Sequence, residues 1–395
     1  MSSNINTDEA EIEKLLRRGV DEIIGLENLK KRMFSGEKLR IKLGVDPTSP
    51  NIHLGRSVPL LKLRDFQKLG HQVVFIIGDF TGTVGDTSDK DSERPNLTKD
   101  QIKENIKTYK NQVSKIIDLN KSEVHFNSKW LGKLNFSEIG DLASIFSVNQ
   151  FISRDLISKR RKEGKRVSLK ETLYPLMQGY DSVSIKADVE LGGSDQRFNM
   201  LAGRDIQKHF GQREQSIITG PIVEGLDGRK MSSSWGNTIN FQDTPEDMYG
   251  KVMSLNDEFV VKYFTLLTRV PEDEISIYEK EVTINPKGVK MSLAKTIVEM
   301  YHSLDEAEKA EKNWEKTFSQ RGIPEDINEI YVEEGETLIE IFIKKDLLPS
   351  KTEFRRRFEA GAIKNAETGD IAPEEISETI TIKYGKKDFI KIIKK

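Results

Sequence analysis

No cysteine occurs in this chain. That excludes disulfides, thiolate metal sites and a cysteine nucleophile, and it suits a reducing, cytoplasmic setting. Neither sign of charge is in excess: 62 Lys and Arg stand against 64 Asp and Glu, a formal net charge of -2. A chain-wide basic field for nucleic acid is therefore absent, and such a partner must be met by a local patch. Long hydrophobic runs are also missing. The N-terminal MSSNINTDEAEIEKLLRRG is polar and lacks the apolar core of a secretory signal, and no stretch is long enough to cross a bilayer. No membrane contact is expected. Two common phosphate signatures are lacking too. There is no GxxxxGK[ST] loop, and GDFTGTVGD is not the dinucleotide fingerprint GxGxxG.

What is present is long enough, at 395 residues, for two or three domains. Residues 1–243 read as α/β. RIKLGVDPT is a short apolar strand ending in a turn, GRSVPLLKLRDFQKLG is a helix stopping at Gly70, and HQVVFIIGDFTG is a buried parallel strand. Strand, helix, strand implies a right-handed crossover, with ligands collecting at the strands' carboxyl ends. SEIGDLASIFSVNQFISRDLISKRRKEG reads as one further helical segment. Residues 244–327 are helical and charged and predict an all-α domain. An acidic connector at 328–337 leads to a small α+β unit at 338–395.

Several short constellations carry chemistry. In DPTSPNIHLGR, Pro47 and Pro50 stiffen the chain after a strand, and His53 and Gly55 stand at the start of the following helix. Unpaired N–H groups and the helix dipole favour an anion there, and His53 can donate to a phosphate oxygen. The plain alternative is a surface histidine in a loop. In GLDGRKMSSSWGN, two glycines give a mobile loop, Lys230 a cation and Ser232 to Ser234 small hydroxyls, so the loop could close over a polyphosphate; equally it could be a solvated linker. Tyr174, Gln178 and Asp181 in YPLMQGYDS share one helix face, with Pro175 suited to a first turn. ELGGSDQ reads both as a close approach to a ligand and as a capped strand-to-helix turn. LPSKTEFRRRFEAG offers Ser350 as a cap and a helix bearing Lys351, Arg355, Arg356 and Arg357, either an RNA-backbone surface or a merely solvated basic helix.

HLGR and KMSSS resemble the two signature motifs of class I aminoacyl-tRNA synthetases, in order and far apart. GVDPTSPNIHLG, YPLMQGYD and GGSDQ narrow the resemblance to the bacterial tyrosyl branch, and it extends over nearly the whole chain. It implies a Rossmann-like parallel-sheet catalytic domain, an all-α anticodon-side domain and an S4-like RNA-binding domain. It implies tyrosine activation by ATP with Mg²⁺, transfer to tRNA(Tyr), and a homodimer, with no protein-bound structural metal. By this resemblance His53, Arg56, Lys230, Thr48, Lys90 and Arg94 serve the reacting phosphates. Gly44, Asp46, Gly55, Gly193, Asp195, Ser232 and Ser233 join His53 and Lys230 around ATP. Tyr174, Gln178, Asp86, Thr81 and Gln196 hold tyrosine, with Asp181 taking its phenol hydroxyl. Three positions depart from the pattern. Arg56 replaces a histidine or asparagine, Ser233 a second lysine, and Lys42 a tyrosine that shares the phenol contact. A tryptophan-specific sister enzyme, or a non-catalytic RNA-binding protein on the same scaffold, remains an alternative.

Overall fold

The computed structural model describes residues 5–86, 97–316, 327–332, 336–366, 370–376, 379–385 and 388–394. They form two compact units, 1–304 and 305–395.

The first unit is built on a six-stranded sheet: β1 (Glu22–Ile24), β2 (Arg40–Val45), β3 (Gln72–Ile77), β4 (Ser122–Phe126), β5 (Val189–Gly193) and β6 (Ser216–Gly220). The spatial order is β1-β6-β5-β2-β3-β4, all parallel except β1. β3 has no polar residue after Gln72 and is buried throughout from Val73 to Ile77, as expected of a parallel strand covered on both faces. The helix Ser57–Lys68 covers one face through Val58, Leu61 and Phe66, and Gly70 ends it at φ 95°.

The single helical segment expected over SEIGDLASIFSVNQFISRDLISKRRKEG is instead three short helices, Phe136–Ser144, Val148–Ile152 and Asp155–Lys162. Asn135 and Ser147 each close a capping box and so start two of them afresh, because a side-chain oxygen takes over the first backbone N–H groups. The helices Pro245–Met253, Val260–Leu267 and Pro286–Tyr301 belong to the same compact unit as the sheet. Polar ties explain this packing. The Arg18 guanidinium donates to the carbonyls of Phe264, Thr265, Thr268 and Val270, and Arg269 grips Asp65 of the helix Ser57–Lys68 at 2.6 Å.

The second unit holds a four-stranded sheet ordered β7-β10-β9-β8, from β7 (Asn328–Val332), β8 (Lys364–Asn365), β9 (Ile380–Lys383) and β10 (Phe389–Lys394). The stretch read as a connector thus contributes a strand: β7 pairs in parallel with β10 and sends Val332 into the core beside Phe342, Ile382 and Ile392. Ser350 caps the helix Lys351–Glu359, as its position suggests, by accepting from the Glu353 N–H.

Candidate active site

Strands β2 and β5 are neighbours, but the chain leaves them in opposite directions, β2 toward β3 and β4, β5 toward β6. Ligands in such sheets settle outside the carboxyl ends of the strands at that point. A cleft of about 410 Å³ opens there. Gly44, Asp46 and Thr48 reach it from the end of β2, and His53, Gly55 and Arg56 from the turn ahead of the helix Ser57–Lys68. Thr81 and Asp86 follow β3; Tyr174, Gln178 and Asp181 come from the helix Tyr174–Ile185. Gly193 ends β5 and Asp195 and Gln196 follow it, and Lys230, Ser232 and Ser233 lie on the glycine-bounded loop. Residues scattered over the sequence are thereby brought to one hollow. Lys90 and Arg94 lie outside the described residues.

At one end, the His53 turn and the serine loop are bound together. The Gly55 N–H donates to Met231 Sδ at 3.2 Å, and the Leu54 N–H to the Ile239 carbonyl at 2.8 Å. A β-carbon at position 55 would lie 3.1 Å from His53 Nδ1, so glycine lets the imidazole pack over the backbone. His53 Nδ1 is buried and has no hydrogen-bond partner. Burial, and then the positive charges of Arg56 and Lys230, push the His53 pKa down to about 3. The ring is therefore neutral at any working pH, with one N–H to donate. Across the cleft Lys230 Nζ meets Asp195 Oδ2 at 3.0 Å. The loop itself is held by Asn237, which accepts from the Ser232 N–H and donates to the Lys230 carbonyl at 3.1 Å.

The other end is a polar, buried seat. Tyr174 donates its hydroxyl to Asp46 Oδ2 at 2.8 Å, and Thr81 donates to Asp46 Oδ1 at 2.6 Å. The Asp46 carboxylate thus organises the pocket wall, and burial raises its pKa to about 6. Gly78 is required there, since a β-carbon would come within 2.0 Å of Asp46 Oδ1. Gln196 Nε2 donates to Asp86 Oδ2 at 2.7 Å, bringing together two residues assigned to the same ligand. Asp181 is 4% exposed and accepts from Trp130 Nε1 at 2.7 Å and Asn127 Nδ2 at 3.3 Å. Burial raises its pKa to about 7, opposed by Lys42 and these two donors. Tyr174 keeps its proton, its pKa raised by burial and by Asp46.

The profile described as tRNA synthetases class I (W and Y) matches residues 35–319. The chain belongs to this family. Among its relatives, the tyrosine–tRNA ligase of Thermotoga maritima is 46% identical over 89% of this chain and 88% of its own length. That of Moorella thermoacetica is 43% identical over 96% and 95%. The fold is also that of a truncated Aspergillus nidulans mitochondrial tyrosyl-tRNA synthetase, with TM-score 0.66, 24% identity, and coverage of 79% of this chain and 95% of that one. An Archaeoglobus fulgidus tyrosyl-tRNA synthetase solved with L-tyrosine gives TM-score 0.59 at 22% identity, over 77% and 100%.

Within this synthetase framework the sequence left some residues unnamed. Asn127 and Trp130 follow the carboxyl end of β4, where the strand-end rule would have nominated them. Glu190 faces Lys42, which the sequence marked only as a departure from the pattern, from the neighbouring buried strand, and its signal was a carboxylate inside the otherwise uncharged run VELGG. Of the basic side chains on the helix Lys351–Glu359, Arg356 and Arg357 both bond Glu353, at 2.9 and 2.7 Å.

Proposed function

We propose that the chain is a tyrosine–tRNA ligase, acting first on L-tyrosine and ATP and then on tRNA(Tyr). The observation that carries this reading is the two-ended cleft: Asp181 lines the same hollow as His53 and Lys230. Its buried seat fits a phenol, whose hydroxyl donates to the carboxylate. Phenylalanine would bury the same carboxylate with no donor beyond Trp130 and Asn127, leaving part of its accepting capacity unmet, a costly state for a buried acceptor. Tyr174, Gln178 and Asp86 would hold the substrate ammonium, with Thr81 and Gln196 also lining the cleft.

The tyrosine carboxylate is already ionised at neutral pH, so no general base is needed. It attacks the α-phosphate of ATP in line and pyrophosphate leaves; catalysis is positioning and charge stabilisation. Asp195 and the backbone at Gly193 would take the ribose, with Gly44 and Gly55 giving room for the nucleotide. Neutral His53 would donate to the polyphosphate, Arg56, Lys230 and Thr48 would neutralise it, and Ser232 and Ser233 would offer hydroxyls. Mg²⁺ would arrive with ATP, held by phosphate oxygens and water. The acyl group of tyrosyl adenylate then passes to the terminal ribose of the tRNA. Lys351, Arg355, Arg356 and Arg357 supply a basic surface for its backbone.

Among the described residues no helix is long and apolar enough to cross a membrane, and we place the enzyme in the cytoplasm as a homodimer. Support for the second copy comes from an apolar groove of about 420 Å³ whose rim includes Val148 and Leu169, 74% and 77% exposed. Pyrophosphate exchange tests the reading. Labelled pyrophosphate should enter ATP with tyrosine present and not with tryptophan or phenylalanine. Exchange driven by tryptophan would give the sister specificity, and no exchange with any amino acid would leave a non-catalytic RNA-binding protein.

A further inference from the structure

Beneath the proposed tyrosine seat lie two charges that the reaction does not use. Lys42 and Glu190 are register partners on β2 and β5, the neighbouring strands between which the cleft opens. Their side chains are 0% and 2% exposed, with Lys42 Nζ 2.9 Å from Glu190 Oε1. Such a pair is tolerated this far from water when its other donors and acceptors are also met. Here they are. Besides Glu190, the ammonium donates to Ser182 Oγ and to the Gln178 carbonyl, each at 2.8 Å. The carboxylate accepts further from Gln178 Nε2 at 3.0 Å, from Ser182 Oγ at 3.1 Å and from Gln215 Nε2.

Gln178 is consequently gripped twice, its carbonyl by Lys42 and its side-chain amide by Glu190. It lies midway between Tyr174 and Asp181 on the helix that presents all three to the cleft. Glu190 and Gln178 line that cleft. Lys42 stands one layer back, where its charge offsets Glu190 and favours the ionised form of Asp181. The tyrosine that the resemblance leads one to expect at this position would have touched the phenol. The lysine instead bonds Gln178, which is assigned to the substrate ammonium.

We propose that Lys42 and Glu190 form a positioning pair that fixes Gln178, and with it the register of the tyrosine seat. The proposal rests on the reading of the cleft as a tyrosine-activating site. Wild-type pyrophosphate exchange checks that reading separately, since its failure would remove the substrate altogether.

The test compares Lys42→Met, Glu190→Gln, the double variant and Ser182→Ala in tyrosine-dependent exchange, with folding followed by circular dichroism. Each single charge removal should raise the KM for tyrosine about 10- to 100-fold, because one buried ion is left without its partner. The KM for ATP should stay within about twofold, since uniform damage would move both. The double variant should recover part of the loss, so that the two effects are not additive. Ser182→Ala removes no charge and should show the same split at smaller size. If the single variants do not fold, the double variant and Ser182→Ala carry the comparison. Folded variants with a wild-type KM for tyrosine, or with both KM values raised together, overturn the proposal.

Discussion

Lys230 Nζ rests 3.0 Å from Asp195 Oδ2, so the serine loop's ammonium sits on the carboxylate proposed to take the ribose. ATP binding would then exchange partners: the ribose hydroxyls occupy Asp195 and Lys230 turns to the phosphates. Lys230→Met should lower the rate of adenylate formation about 100-fold or more, the scale of losing one charge-stabilising donor. Asp195→Asn should mainly raise the KM for ATP. Steady-state exchange kinetics with each substrate varied separates the two, and equal effects on tyrosine KM would contradict the exchange of partners.

Tyrosine binding should depend on pH through Asp181. Its pKa is raised to about 7, so the carboxylate that accepts the phenol proton is lost as pH falls through that value. Tyrosine KM should therefore rise between pH 8 and 6. Trp130 donates to the charged form, so Trp130→Phe should shift this limb to higher pH. Asp181→Asn should abolish it. A limb that Trp130→Phe leaves in place would assign the titration elsewhere, Asp46 being the nearest alternative.

A chain ending at residue 304 should still form adenylate and fail to charge tRNA. The cut belongs there and not in the 328–337 stretch, because a chain ending after β7 would lose β10, the strand's partner. An unpaired strand edge carrying Ile330 and Val332 invites aggregation. Aminoacylation of tRNA at wild-type efficiency by the shortened chain would remove the RNA role of the second unit.

How much of this was visible in the sequence depends on where the signal lay. His53 and Asp195 sit in short motifs at a helix start and a strand end, Lys230 in a glycine-bounded loop and Asp181 on a helix face shared with Tyr174 and Gln178; the motifs were local, and the resemblance supplied the roles. The β2–helix–β3 crossover followed from a buried apolar run and a 3.6-residue pattern. Trp130 stands just past the carboxyl end of β4, so its place was legible, but its partner was not, because nothing near it in the chain reports that its N–H meets Asp181, 51 residues on. The three helices between 136 and 162 were merged because the periodic apolar residues mask the capping boxes. β7 was missed because its acidic neighbours read as a connector while its partner lies some 60 residues later, at 389–394.

The second copy is expected to cover Val148 and Leu169. Val148→Glu with Leu169→Glu should shift the sedimenting species from dimer to monomer, since a charge cannot be buried in an apolar contact without a partner. A dimer unaffected by both changes would place the interface elsewhere.

The joint action of His53 and Lys230 on one triphosphate is tested most directly by rapid-quench measurement of tyrosyl adenylate formation in a single turnover. His53→Ala should slow that step about 100-fold or more with tyrosine affinity unchanged. Because the ring is already neutral, the wild-type rate should show no limb near pH 6.5 that this substitution removes. An unaltered rate in His53→Ala, or a loss explained wholly by weaker tyrosine binding, would contradict the account.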